Sequence, residues 1–209
     1  MDVWTDATHE VPAAVTLREV GEEAREVVER LWQLDQHDMS EFWGGMPGPD
    51  GLYDSGRLDL AFSDPERRIY LIHYGGDLAG FTTTRPLPDG ATSIVGFFVV
   101  RAVRRRSVGR RAALALLRQR PGRWAIAFQK ANAGAARFWR RVATEAVGTD
   151  WREERRPVPG KPQLPPDHWV LLDTSEVADA GGANSPNPPS PPGSPKPADP
   201  EAQPPVIFG

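Results

Sequence analysis

Six arginines lie between positions 101 and 111 of this sequence, and their setting points to anion binding. They follow an apolar run, 96–100, and they precede Ser107-Val108-Gly109 and a segment rich in alanine and leucine. This order predicts a strand, a cationic turn and the start of a helix. Such a turn offers unpaired backbone N–H groups, the positive end of a helix dipole and guanidinium groups, all of which attract phosphate. The alternative is that the arginines are only solvated.

The elements that must position this turn follow from the hydrophobic periodicity. We predict strands at 14–20, 68–74, 78–85, 91–100, 123–129, 147–155 and 168–172, and helices at 22–36, 108–119 and 133–142. The glycines and prolines of 37–51 predict an irregular segment there, with at most a short helix near 39–42, and a further helical turn is expected at 58–62. The fold class is therefore α+β, with a mixed central sheet flanked by helices.

The proline distribution divides the chain. Ten of the 22 prolines lie between 186 and 205. We predict a flexible N-terminus at 1–12, one domain at 13–174 and a disordered, proline-rich tail at 175–209. A docking peptide within the tail is an alternative to a plain solvated segment.

Composition excludes several classes of function. The net charge of −3 gives no overall attraction to nucleic acid, and the absence of cysteine excludes disulfides, thiolate metal sites and cysteine nucleophiles. His9 and His168 lie far apart in the sequence and lack ligand spacing, so no metal is predicted. No apolar run approaches the roughly 20 residues that cross a membrane. Positions 1–12 lack a signal-peptide pattern, so the expected location is cytoplasmic.

Two motifs carry a resemblance to a known family. The first is Arg104-Arg105-Arg106-Ser107-Val108-Gly109, and the second is Asn132-Ala133-Gly134-Ala135-Ala136-Arg137-Phe138-Trp139, with one predicted strand between them. In these motifs and in its order of elements, the chain resembles the GNAT acyl-CoA-dependent N-acetyltransferases over about residues 14–174. The resemblance implies the GNAT fold and acetyl-CoA as co-substrate.

The resemblance also implies which residues contact the cofactor. They are Val99, Arg104, Arg105, Arg106, Ser107, Val108, Gly109, Arg110, Asn132 and Trp139. The loop would hold the pyrophosphate, and the strand before it would open so that pantetheine hydrogen-bonds to its backbone. A backbone N–H near Val99 or Val100 would stabilise the thioester oxyanion. Asn132 has the alternative role of a helix N-cap.

Three positions depart from the family pattern. Ser107 replaces a glycine and is expected to keep ordinary backbone angles. Trp139 stands where many members carry a tyrosine that protonates the thiolate, and an indole N–H cannot serve as that acid. Gly96 lies near the position of the usual catalytic glutamate. Catalysis would then depend on positioning and the oxyanion donor, or the protein would bind acyl-CoA without efficient transfer.

A substitute base can be sought after the first predicted helix. Asp35, His37, Asp38 and Glu41 cluster there, and the resemblance places this region at the acceptor wall. Histidine titrates near neutral pH, so His37 is the candidate base. The alternative is an acidic helix end that only faces water.

These observations predict an N-acetyltransferase that moves an acetyl group from acetyl-CoA to a primary amine of a small molecule or a peptide. The alternative is a catalytically weak or inactive acyl-CoA-binding module with a regulatory or partner-binding role. A nucleic-acid binder is the weakest interpretation, because the basic patch is short and carries no interleaved aromatic residues. No membrane partner is expected, and the resemblance is compatible with a homodimer.

Overall fold

The computed structural model describes residues 13–129, 131–157, 166–176 and 206–207. The strands are β1 (Val15–Val20), β2 (Arg68–Tyr74), β3 (Asp77–Pro86), β4 (Thr92–Val99), β5 (Arg123–Phe128), β6 (Trp151–Arg156), β7 (Asp167–Asp173) and β8 (Val206–Ile207). The α-helices are α1 (Arg25–Trp43), α2 (Gly56–Ser63), α3 (Val108–Gln119) and α4 (Ala133–Val147), with 3-10 turns at Glu22–Ala24 and Arg101–Val103. The α+β class with a mixed sheet is confirmed.

One sheet runs through the domain in the order β1-β2-β3-β4-β5-β7-β6, and β8 pairs with β4 off this path. The β4–β5 pair is parallel, whereas the other pairs along the path are antiparallel. β4 and β5 pair only at Thr92 and Trp124. They therefore separate beyond Thr92, and we call the space between their C-terminal halves the β4–β5 opening.

Successive side chains of a strand point to opposite faces of the sheet, so a hydrophobic core forms on each face. Phe97 of β4 and Ile126 of β5 face α3 and α4, where they pack with Trp139. Phe98 faces the opposite side and packs with Phe81, α1 and α2. Each large side chain buried in this way contributes roughly 1.5–3 kcal/mol of hydrophobic free energy. The C-terminal half of β4 therefore lies between two layers of helices.

Helix α1 is longer than predicted. Val28, Leu31, Trp32 and Met39 bury one face at helical spacing. The prediction of an irregular segment at 37–51 was wrong for 37–43, because no glycine or proline interrupts the chain before Gly44, and is confirmed for 44–51. Gly44 ends the helix with φ of 70° and donates to Ser40 O at 2.8 Å.

Two further boundaries differ from prediction. α4 continues to Val147, so β6 begins at Trp151 instead of near 147. Val206–Ile207 forms a strand, whereas the sequence predicted disorder throughout 175–209. Positions 1–12, 130, 158–165, 177–205 and 208–209 lie outside the described residues, and they include most of the predicted tail. Among the described helices, none combines the length and apolar character that a membrane span requires.

Candidate active site

The backbone N–H and C=O of Val99, at the end of β4, face the β4–β5 opening. Val100 N–H donates to Ala79 O of β3 at 2.8 Å, so it points away from the opening. Successive residues of a strand alternate, so the N–H and C=O of Val99 point toward the opening. Consistently, Val99 O accepts a hydrogen bond from Arg104 Nε at 2.7 Å. Of the two predicted oxyanion donors, only Val99 presents its N–H on the side where a cofactor would lie.

The loop between β4 and α3 contains two left-handed residues. Arg105 and Ser107 both have φ of 61°, and Ser107 is the residue that precedes α3. The expectation that Ser107 keeps ordinary angles was therefore wrong. The loop needs the glycine-like conformation, and serine adopts it at a cost of about 1 kcal/mol. The Ser107 side chain does not cap the helix, so it leaves the first N–H groups of α3 to other partners.

A cavity of about 260 Å³ lies against this loop, and we call it the loop cavity. Its lining is Val99, Arg104, Arg105, Ser107, Val108, Gly109, Arg110, Phe138 and Arg141. The first seven of these were predicted as cofactor contacts from the sequence. Arg106 is exposed and lies outside this lining. The structure therefore brings most of the predicted loop residues together around one concave surface.

The cations around the loop cavity are not equivalent. Arg104 forms an ion pair with Asp38, and Arg110 forms one with Glu145. Arg105 of the loop and Arg141 of α4 are exposed and form no ion pair among the described residues. These two side chains are thus the ones whose charge is available to an anion. Arg141 was missed by the sequence reasoning, although its position three residues after Phe138 places both on the same side of α4.

Asn132 and Trp139 have structural roles in this state. Asn132 is buried and its Oδ1 accepts from Ala135 N–H at 2.8 Å, the N-cap alternative. Trp139 is fully buried, with ring centroids 5.3 Å from Phe97 and 4.8 Å from Phe138. Its Nε1 has no hydrogen-bond partner among the described residues. Neither residue lines the loop cavity.

Two buried aspartates on α1 face the end of β4. Asp38 accepts from Arg101 Nε at 3.0 Å and also from Arg104. Burial raises the pKa of Asp38, but these two guanidinium groups outweigh it and hold the pKa below its usual value. Asp35 is fully buried, and its Oδ1 has no hydrogen-bond partner among the described residues. Burial raises the pKa of Asp35 well above its usual value, and the charge of Asp38 adds to this rise.

His37 lies on the other side of α1. It is exposed, and its Nδ1 is 3.4 Å from the Tyr53 hydroxyl. Glu41 is exposed as well. The four clustered residues therefore separate into a buried pair, Asp35 and Asp38, and a solvent-facing pair. The assignment of His37 as base remains a prediction.

Asp167 is a buried carboxyl that the sequence reasoning missed. It begins β7, and the next residue, His168, pairs with Phe128 at the end of β5. Burial raises the pKa of Asp167 to about 6, against the opposing charges of His168 and Arg57. Arg57 of α2 also acts on Asp35, so both carboxyls lie within its electrostatic range. A strand predicted one residue longer would have included Asp167 and placed it opposite the end of β5.

The position of the usual family glutamate is packed by neighbours. A Cβ added at Gly96 would lie 3.1 Å from Thr83 Oγ1 and 3.5 Å from Phe81 Cε2. A carboxylate side chain at this position would displace Thr83. Among the described residues, no group of three His, Asp or Glu side chains is arranged to hold a metal ion.

The mixed sheet opens between β4 and β5, and a cation-lined cavity lies at the start of the next helix. The sequence identifies the class of protein with this arrangement, which is the N-acetyltransferases. The chain belongs to the acetyltransferase (GNAT) family, whose sequence model matches residues 28–143. The suspected resemblance is therefore confirmed. No curated protein matches the sequence.

Solved structures support the fold. An acetyltransferase from Thermus thermophilus matches with a TM-score of 0.57 at 15% identity, covering 78% of this chain and 99% of its own. Aminoglycoside acetyltransferase AAC(6')-Ib, solved with coenzyme A and kanamycin, has a TM-score of 0.57 at 12% identity and covers 80% and 99%. RimL, a ribosomal L7/L12 alpha-N-protein acetyltransferase solved with coenzyme A, has a TM-score of 0.54 at 14% identity and covers 78% and 97%.

Proposed function

We propose that the protein transfers an acetyl group from acetyl-CoA to a primary amine of a small molecule or a peptide. The observation that carries this proposal is the position of the loop cavity. It joins the free edge of β4 at Val99 to the first turn of α3, so one elongated cofactor can contact both. The family provides the reaction type, and the arrangement of this chain's residues supports the roles given below.

The pyrophosphate of coenzyme A would bind at the start of α3. The N–H groups of the first helical turn point toward that end of the helix, and the helix dipole favours negative charge there. The left-handed angles of Arg105 and Ser107 turn successive N–H groups to one side, as in an anion-binding nest. Arg105 and Arg141 add the charges that no described carboxylate neutralises.

The pantetheine arm would extend along β4 as an added strand. With β8 out of the opening, β4 offers the N–H and C=O of Phe97 and the N–H of Val99 there, because Val99 O is already bonded to Arg104. Val99 N–H is the proposed donor to the thioester oxygen. Negative charge develops on that oxygen as the amine attacks, so a donor fixed by the sheet stabilises the transition state.

Asp167 is the proposed general base, because the β5–β7 pairing brings the start of β7 next to the C-terminal end of β5, which borders the β4–β5 opening. The amine nitrogen attacks the thioester carbonyl carbon, the carbon–sulfur bond breaks, and the proton lost by the amine passes to the Asp167 carboxylate. Its pKa of about 6 leaves it ionised at neutral pH and still basic enough to accept a proton. The departing thiolate takes its proton from water, since the buried indole of Trp139 cannot supply one.

The second candidate function is a binding module without efficient transfer. Two observations favour it: Gly96 carries no carboxylate, and Trp139 offers no acid. Both candidates require coenzyme A to bind, so binding and turnover must be measured separately.

The deciding experiment combines both measurements. Thermal shift and calorimetry with coenzyme A test binding, and thiol release from acetyl-CoA over an amine panel tests transfer. Arg105→Ala/Arg141→Ala should weaken coenzyme A binding about tenfold or more at low salt, and less at high salt. Arg118→Ala, an exposed arginine near the far end of α3, is the matched control. Binding without turnover on any amine would favour the second candidate, and an absence of binding would exclude both.

A further inference from the structure

The β4–β5 opening is occupied in this structure by a segment of the same chain. Strand β8 runs parallel to β4, with Val206 opposite Gly96 and Ile207 opposite Phe97. It also contacts β5. β8 therefore lies beyond Thr92, the last point at which β4 and β5 pair directly.

This pairing uses the backbone edge that the proposed function assigns to pantetheine. Because Val100 N–H points to β3, alternation directs the N–H and C=O of Phe97, like those of Val99, into the opening. A strand that pairs at Phe97 removes those groups from any other extended ligand. β8 and a pantetheine arm bonded to Phe97 cannot be present together.

The sequence around β8 suits a tethered strand. Between 186 and 205 the chain is dominated by proline and small or polar residues, and the Val-Ile-Phe run at 206–208 is the first cluster of large apolar residues after them. Pro204 and Pro205 lack an N–H, so Val206 is the first residue after them that can donate a ladder hydrogen bond. β-Branched residues such as Val206 and Ile207 favour the extended conformation.

The segment between β7 and β8 is long enough to let β8 reach the β4–β5 opening and also leave it. About 30 residues separate the end of β7 from β8, and fully extended they would span roughly 100 Å. The entropy of closing such a loop grows only slowly with its length. A tether of this kind holds the segment at an effective concentration on the order of millimolar.

We propose that Val206–Ile207 is an intramolecular competitor for the cofactor opening, so that coenzyme A must displace β8 in order to bind. This inference rests on the proposed function, because it takes coenzyme A as the ligand of the opening. The apparent affinity for coenzyme A is then reduced by the fraction of molecules in which β8 is paired.

The test uses full-length variants and coenzyme A as the probe. Val206→Pro removes the N–H of the residue opposite Gly96 and disfavours pairing. Ala202→Pro makes the same change in the same tail, outside β8, and is the matched control. We expect Val206→Pro to lower the Kd for coenzyme A about threefold to tenfold, because only a two-residue pairing is lost. Ala202→Pro should bind as the unaltered chain does.

Hydrogen exchange provides the second measurement. Saturating coenzyme A should speed amide exchange in the 206–209 segment of the unaltered chain, because β8 is released. Equal Kd values for Val206→Pro and Ala202→Pro, or exchange at 206–209 that coenzyme A leaves unchanged, would overturn the competition alone. Tighter binding of an acceptor peptide with an unchanged coenzyme A Kd would likewise overturn it, by assigning β8 to the acceptor side. Failure of every variant to bind coenzyme A would overturn the proposed function as well.

Discussion

Asp38 of α1 holds the guanidinium of Arg104, which in turn donates to Val99 O at 2.7 Å. This relationship joins helix α1 to the loop and to the C-terminal end of β4. Much of the positive charge of Arg104 is therefore balanced by a carboxylate, and its Nε fixes a backbone carbonyl. Arg104 is therefore held by Asp38 and Val99 O, whereas Arg105 and Arg141 line the loop cavity without an ion pair among the described residues.

The ion pairs of Asp38 with Arg101 and Arg104 should contribute measurably to the free energy of unfolding. Asp38→Asn should lower the free energy of unfolding at pH 7 by about 1–2 kcal/mol, since one buried carboxylate pairs with the half-buried Arg104 and the exposed Arg101. The folded pKa of Asp38 lies below its unfolded value. Its contribution is therefore complete above about pH 5 and is lost as pH falls through the folded pKa, below about pH 4.

Urea denaturation at several pH values checks this prediction. Glu41→Gln, an exposed carboxylate on the same helix, is the control and should change stability by less than about 0.5 kcal/mol. Equal stability of Asp38→Asn and the unaltered chain at pH 7 would contradict the inferred role of the pair.

The proposed role of Asp167 as general base leads to a prediction about the pH dependence of kcat/KM. If it accepts the amine proton, kcat/KM should rise with pH through an apparent pKa of about 6. Asp167→Asn should remove that limb and lower the rate about 100-fold or more. Asp173→Asn, at the other end of β7, is the control. A full-rate Asp167→Asn enzyme would return the role of base to His37, which His37→Gln tests in the same assay.

The substitution Asp167→Asn, which should lower the rate, should raise the free energy of unfolding at neutral pH. The folded pKa of Asp167 lies above its unfolded value, so ionisation costs more in the folded state. Its penalty is absent below about pH 4 and grows until pH exceeds about 6. Asp167→Asn should therefore be more stable than the unaltered chain at pH 7, by up to about 3 kcal/mol, and should lose that advantage at pH 4. Denaturation curves at the two pH values measure the difference.

Replacing Ser107 by glycine is expected to stabilise the folded protein. Its φ of 61° is unfavourable for serine and ordinary for glycine. Ser107→Gly should raise the free energy of unfolding by about 0.5–1 kcal/mol, and Ser107→Val should lower it by at least about 1 kcal/mol. Arg106→Gly is the control, since Arg106 is not among the left-handed residues, and should be destabilising. Thermal denaturation that ranked Ser107→Gly below the unaltered chain would exclude strain at this residue.

The loop and the sheet could be predicted from the sequence because their signals are local. Residues 104–110 lie between an apolar run and a segment that begins a helix. That order is enough to predict a cationic turn before a helix. Asp167 and Arg141 were missed because their importance depends on which strand ends and helix faces meet. The pairing of Val206 with Gly96 joins residues far apart in the sequence, and no local pattern in a proline-rich tail indicates such a partner.

Substitutions at Gly109 test whether the loop cavity is the cofactor site. A Cβ at this position would lie 3.6 Å from Phe138 Cε2, Phe97 Cε1 and Val99 Cγ2, which is ordinary contact distance. Gly109→Ala should therefore fit, stabilise α3 by up to about 1 kcal/mol and leave coenzyme A binding within about threefold. Gly109→Trp should fill much of a cavity of about 260 Å³ and weaken coenzyme A binding at least about 30-fold. Calorimetry on both variants, with circular dichroism to show that each is folded, separates a filled site from a broken fold. Unimpaired binding by a folded Gly109→Trp variant would place coenzyme A elsewhere on the protein.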